Sequence, residues 1–158
     1  MEQQLLGIDV GTTGLKAAVI EPRGKLLGEA TAHYEIARPQ PGWTEQRPEL
    51  WWEACIEALS TLRQQGALRD GAVAGIGLTG QMHGSVFLTE AGEVVRPAIM
   101  WNDQRTAAEC GLIEERIGTA RLIELTGNRA LTGFTAPKVL WLRRHEADSF
   151  RRTRRLLL

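Results

Sequence analysis

Along the first 34 residues, apolar and polar positions alternate in short bursts broken by glycine: LLGIDV, GTTG, LKAAVI, EPRGK, LLGEATAHY. A period near two, punctuated by turn residues, predicts strands over residues 5–10, 15–20 and 25–34. Neighbours joined by such short turns must run antiparallel. After the Pro- and Gly-rich loop RPQPGWTEQRP the period changes. Trp51, Cys55, Ala58, Leu59 and Leu62 recur on one helical face, Pro48 suits a first turn and Gly66 suits the end. VAGIGLT, residues 73–79, then reads as a core strand, followed by a hairpin through TEAGEV and an extended RPAIMW. Helical patterns take over from Asp103: DQRTAAECGLIEERIG, TARLIELTG and TAPKVLWLRRHEA. The closing RRLLL reads as one more strand.

Three strands, a helix, a strand and further helices imply an α/β layer architecture, a mixed sheet with flanking helices. At 158 residues the chain can hold one core or form a lobe of something larger. A strand at the very end favours the second reading, a fragment or one lobe whose remainder is missing. Composition changes this picture little. Hydrophobic residues at 43% and charged residues at 24% are ordinary for a globular domain. Nineteen basic residues balance nineteen acidic ones, so net charge points to neither nucleic acid nor an anionic membrane. The one basic cluster, RRHEADSFRRTRR, is interrupted by acids and reads as a solvated helix end. Cys55 and Cys110 lack metal or redox spacing and are expected as reduced thiols in a cytoplasmic protein. No apolar run is long enough to span a bilayer.

Two groups of polar residues need a reason to be where they are. Asp9 sits inside an apolar strand, where an unpaired carboxylate is costly to bury, and GTTG follows it directly. The glycines allow a tight turn, and the backbone N–H groups and the hydroxyls of Thr12 and Thr13 suit phosphate oxygens. A carboxylate beside such a turn can hold the water shell of Mg²⁺. The same residues also make an ordinary hairpin turn, and spacing does not separate the two readings.

Gln81, Met82 and His83 lie just past the strand at residues 73–79, flanked by Gly80 and Gly84. Strand ends are where α/β layers bind small molecules. A carboxamide and a neutral imidazole each donate and accept, as sugar hydroxyls require, and Met82 can supply an apolar wall. Asn102 and Asp103 offer further polar contacts, or simply cap the following helix.

Segment by segment, GIDVGTTG resembles the first phosphate motif of the sugar-kinase and actin superfamily. GWTEQRPELWW, GIGLTGQMHG, RPAIMWNDQR and LTGFTAPKVLWLRRHE together resemble the FGGY carbohydrate kinases, most closely their xylulokinase branch, over nearly the whole chain. Thr135, Lys138, Trp141 and His145 match that family's first signature, read physically as an amphipathic helix capped by Thr135 with Trp141 in the core.

The resemblance implies a ribonuclease-H-like domain of the actin/hexokinase superfamily, with residues 1–158 an incomplete N-terminal domain and a C-terminal nucleotide-binding domain absent. It implies ATP and Mg²⁺ as cofactors, with transfer of the γ-phosphoryl group to the terminal hydroxyl of D-xylulose to give D-xylulose 5-phosphate. Gln81, Met82, His83, Asn102 and Asp103 fall on the substrate, Thr12 and Thr13 on the nucleotide phosphate, and Asp9 on the metal. No catalytic residue is assigned within the chain, because the family's basic aspartate lies beyond residue 158, so the isolated chain is expected to be inactive. The implied partners are the sugar, ATP and the missing domain, with neither nucleic acid nor membrane and with a homodimer possible. The competing expectations are an FGGY kinase for ribulose, gluconate or erythritol, and a non-catalytic sugar-binding module of the same fold.

Overall fold

The computed structural model describes residues 3–158. In chain order these form β1 (Gln4–Val10), β2 (Gly14–Ile20), β3 (Leu26–His33), β4 (Glu45–Gln46), α1 (Pro48–Gln64), β5 (Val73–Thr79), β6 (Val86–Leu88) and β7 (Ala98–Ile99). The order continues with α2 (Ala107–Ile117), α3 (Thr119–Thr126), α4 (Thr135–His145), α5 (Ala147–Arg152) and β8 (Arg155–Leu157). The chain divides into two compact units. One comprises residues up to 36 together with 48–81, and the other comprises 37–47 together with 82–158.

The first unit is a four-stranded mixed sheet in the order β3-β2-β1-β5, antiparallel except for the parallel β1–β5 pair. This is the ribonuclease-H-like arrangement that the resemblance implied. Alternation along β1 sends Leu6 and Ile8 to the core and leaves Gly7 and Asp9 on the other face. Leu15, Ala17, Val19, Ala30 and Ala32 join that core. Onto it packs α1 through Ala54, Cys55, Ala58 and Leu62, close to the helical face read from the sequence. Small residues let the helix come near. A Cβ built at Gly28 would lie 2.5 Å from the Cβ of Ala67, just past the helix end. Gly66 there takes a positive φ of 72°. The start of β1 is anchored by Gln4, fully buried, whose amide donates to the Ala67 carbonyl at 2.8 Å and accepts from the Arg69 N–H at 3.0 Å.

One strand differs from expectation. β5 has the predicted limits, yet it is an edge of this sheet, with Ile76 62% and Leu78 77% exposed. Its continuous apolar run suggests a core strand, a pattern that an edge strand with an uncovered face shares.

The second unit holds two short antiparallel pairs, β4–β7 and β6–β8, with α2 to α5. The terminal strand is present as expected: Leu157 pairs with Val86 and Arg155 with Leu88. Phe87, Ile99, Trp141 and Leu142 form the core, with Trp43, Val95, Val139 and Phe150 against it. Two-residue β4, inside the Pro- and Gly-rich loop, and six-residue α5 were missed, because neither is long enough to show a period. Cys55 is buried and Cys110 half-buried, both as free thiols whose pKa burial raises. No helix among the described residues is long and apolar enough to cross a membrane.

Candidate functional site

The division into units separates the predicted site residues into two sets. Asp9, Thr12, Thr13 and Gln81 belong to the first unit, whereas Met82, His83, Asn102 and Asp103 belong to the second.

In the first unit, Asp9 lies at the end of β1 with its residue exposed, in register with Lys16 on β2 and Thr79 on β5. The period-two alternation thus resolves the apparent conflict of a carboxylate in an apolar strand. The turn after it is tight for a steric reason. Neither Gly11 nor Gly14 has a positive φ, but a Cβ on Gly11 would stand 2.9 Å from the Gly14 carbonyl, and one on Gly14 would stand 2.8 Å from the Ala32 carbonyl.

Three carbonyls of this turn, those of Gly11, Thr13 and Gly14, accept hydrogen bonds within the unit. Gly11 O accepts from the Tyr34 hydroxyl at 2.6 Å and from the Gln81 amide Nε2 at 2.9 Å. Thr13 O accepts from the Tyr34 N–H at 3.3 Å, and Gly14 O from the Gly11 N–H at 3.0 Å. Burial, with Asp9 adding to it, pushes the Tyr34 phenol up to about 12, so Tyr34 is a permanent donor at neutral pH. Engaged carbonyls remove the lone pairs that would repel an anion, while Thr12 is half-buried and Thr13 exposed beside them.

Gln81, expected beside the sugar, reaches back to this turn. Its Nε2 braces the turn, and its Oε1 lies 3.4 Å from the Thr12 hydroxyl. The roles of Gln81 and Tyr34 as braces went unread because they depend on which loops the sheet brings together, at separations of 70 and 23 residues.

In the second unit three segments are tied together. Ser85 and Ile99 exchange backbone hydrogen bonds, which fixes residues 82–85 next to the strand leading to Asn102. Residues 101–106 meet 131–135: the Thr106 hydroxyl donates to Thr132 O at 3.2 Å, and a Cβ on Gly133 would stand 2.5 Å from Trp101 O. Met82 is 75% exposed, and the half-buried His83 ring packs on Phe134 with centroids 4.7 Å apart. The Asn102 Oδ1 is buried and has no hydrogen-bond partner, an arrangement that costs about 1–3 kcal/mol unless a partner is supplied.

Asp103, expected as a further polar contact, is engaged by groups of its own unit. It is fully buried, and its carboxylate accepts from the Thr44 N–H at 2.6 Å and from Arg105 through the backbone N–H, Nε and Nη2 at 2.8–2.9 Å. All its acceptor sites are used within the unit. Nor does either Asn102 or Asp103 cap α2, whose N-cap is Thr106.

The Arg105 guanidinium continues to Glu45 at 2.7 Å and lies over the Trp43 ring at 3.8 Å and the Trp141 ring at 4.9 Å. Glu45 also pairs with Arg96, which in turn pairs with Glu146. Trp141 is in the core as expected, whereas Thr135 is the first residue of α4 rather than its cap, a position held by Phe134.

Comparison with known proteins addresses the family and the fold. The model of the N-terminal domain of the FGGY family of carbohydrate kinases matches residues 4–158. The chain is 44% identical over 153 residues to the xylulose kinase of Escherichia coli strain K12, covering 97% of the chain and 31% of that protein. It is 39% identical over 154 residues to the xylulose kinase of Staphylococcus xylosus, covering 98% and 32%. The crystal structure of a xylulose kinase from Brucella ovis superposes with a TM-score of 0.93 at 41% identity, over 99% of the chain and 32% of that structure. A gluconate kinase from Lactobacillus acidophilus, 24% identical with a TM-score of 0.90, shares the fold. The chain spans about a third of the length of the curated relatives it matches.

Proposed function

The chain belongs to the FGGY family of carbohydrate kinases, and from that premise we propose that it supplies the sugar-holding and phosphate-facing parts of a xylulokinase. That enzyme phosphorylates D-xylulose with ATP to D-xylulose 5-phosphate. The observation that carries the sugar side is the second unit's polar cluster: the His83 ring set against Phe134, exposed Met82, and Asn102 with a buried acceptor lacking a partner. Such a set offers hydroxyl-binding groups beside apolar surface, as polyol recognition requires. The curated relatives named above support the choice of sugar.

Thr12 and Thr13 face the phosphate in this reading, on a turn whose carbonyls are already engaged by Tyr34 and Gln81. Asp9 is exposed at the strand end, and no group of three His, Cys, Asp or Glu suited to a metal exists among the described residues. A single carboxylate fits Mg²⁺, which keeps several waters, better than it fits a metal needing a protein cage. Bound there, Mg²⁺ would neutralise phosphate charge. Asp103 acts indirectly in this proposal, by holding Arg105 and the Thr44 backbone rather than touching sugar.

Calorimetric titration of the chain with D-xylulose and D-ribulose tests the proposal. D-xylulose is expected to bind more tightly, and His83→Ala to weaken it about tenfold, the loss of about one hydrogen bond. Equal affinity for the two sugars, or no change in the His83 variant, would sink the sugar assignment.

A further inference from the structure

Lys138 is fully buried in the first turn of α4, yet its position in the family signature read from the sequence suggested no more than a helix face. An ammonium group without exposed surface needs a compensating reason. Its Nζ donates to the His83 carbonyl at 2.5 Å and to the Gly133 carbonyl at 2.8 Å. Those are the peptide following His83 and the peptide preceding Phe134, the two residues whose rings pack together at 4.7 Å. One ammonium therefore fixes the two peptide planes on which that ring pair is mounted. The Gly133 side of the pair is pressed in turn against the Trp101 carbonyl, next to Asn102.

We infer that Lys138 is a positioning residue for the sugar site, clamping residues 82–85 to residues 131–135 so that the His83 ring is held in place before a ligand arrives. This rests on the sugar reading of His83 proposed above. Charge-assisted donation to two carbonyls is stronger than neutral bonding and directional, so it orders backbone that an apolar side chain of equal size would only pack against. Burial pushes the lysine down to about 8, Asp103 opposes that fall and Arg105 adds to it.

The test uses Lys138→Met, which keeps the length and removes the donors, and Lys138→Gln, which keeps one donor and is the milder change. Amide hydrogen exchange is followed residue by residue alongside D-xylulose titration. In Lys138→Met, exchange at residues 83–85 and 133–135 is expected to quicken about tenfold, with β1 and β2 unchanged and the D-xylulose Kd raised about tenfold. The Gln variant should fall between. Wild-type exchange in both loops of a folded variant overturns the inference, and so does loss of the fold in both variants, which would make Lys138 a structural residue of the whole unit. If the wild-type chain does not bind D-xylulose, the sugar reading fails, while the exchange data still decide whether Lys138 clamps the two loops.

Discussion

The two units hold their candidate residues by opposite means. In the first, Asp9, Thr12 and Thr13 sit at a strand end, and the groups that fix them are neutral: the Tyr34 phenol, the Gln81 amide and close backbone approach at Gly11 and Gly14. In the second, His83 and Asn102 sit among loops fixed by charge: Lys138 on two carbonyls, and the buried Asp103–Arg105–Glu45–Arg96 chain between tryptophans. The difference follows from the elements available. A four-stranded sheet aligns a strand end by register alone, whereas strands of two or three residues cannot define register, so the second unit needs strong directional bonds to specify one arrangement.

That contrast breaks most visibly at Arg105, whose side chain has no exposed surface. Arg105→Met leaves Asp103 buried without its main partner and Glu45 with only Arg96. A loss of about 3–5 kcal/mol is expected in urea unfolding, since removing one member strands a buried charge. A loss below about 1 kcal/mol would mean that packing against Trp43 and Trp141, not charge, holds the loop. The steric counterpart in the first unit is Gly14→Ala. Its Cβ would meet the Ala32 carbonyl at 2.8 Å and His33 Nδ1 at 3.1 Å, so a loss of about 1–3 kcal/mol is expected from the forced backbone shift. Equal stability of this variant would show that the turn has slack and that the glycine serves something else.

Legibility from sequence divides along the same line. Every strand of the first unit's sheet was located to within a residue or so, and the buried face of α1 was named nearly in full, because long elements repeat their period. The exposed place of Asp9, in a strand whose apolar run had suggested burial, became visible only with the register. What periodicity cannot report is which side chains reach another segment. Gln81 as a brace, Asp103 as an internal ligand of Arg105 and Lys138 as a clamp all join residues far apart or enclosed by loops. The edge position of β5 was hidden for a related reason: an apolar run looks the same whether or not a neighbour covers it.

The finest test of the contrast is the sign of a pH dependence. Tyr34 is raised from 10.0 to about 12, so the native state holds this proton more tightly than the unfolded chain does. Its contribution is fully present below pH 10 and is lost as pH rises through 10 to 12. Lys138 is lowered from 10.5 to about 8, so the unfolded chain binds its proton more tightly. Its effect on stability runs the other way, rising as pH goes from 8 to 10.5 and level on either side of that window, where both states carry the same charge. Tyr34→Phe should cost about 1 kcal/mol at neutral pH, one neutral hydrogen bond, and should flatten the decline above pH 10. Lys138→Met should flatten the rise between pH 8 and 10.5 while leaving the alkaline decline intact. Denaturant midpoints measured across pH 7 to 12 for the wild type and both variants separate the two. The same slope change in both variants would mean that neither unit owns its titration, and that the neutral and charged modes of holding a site are not distinct in this chain.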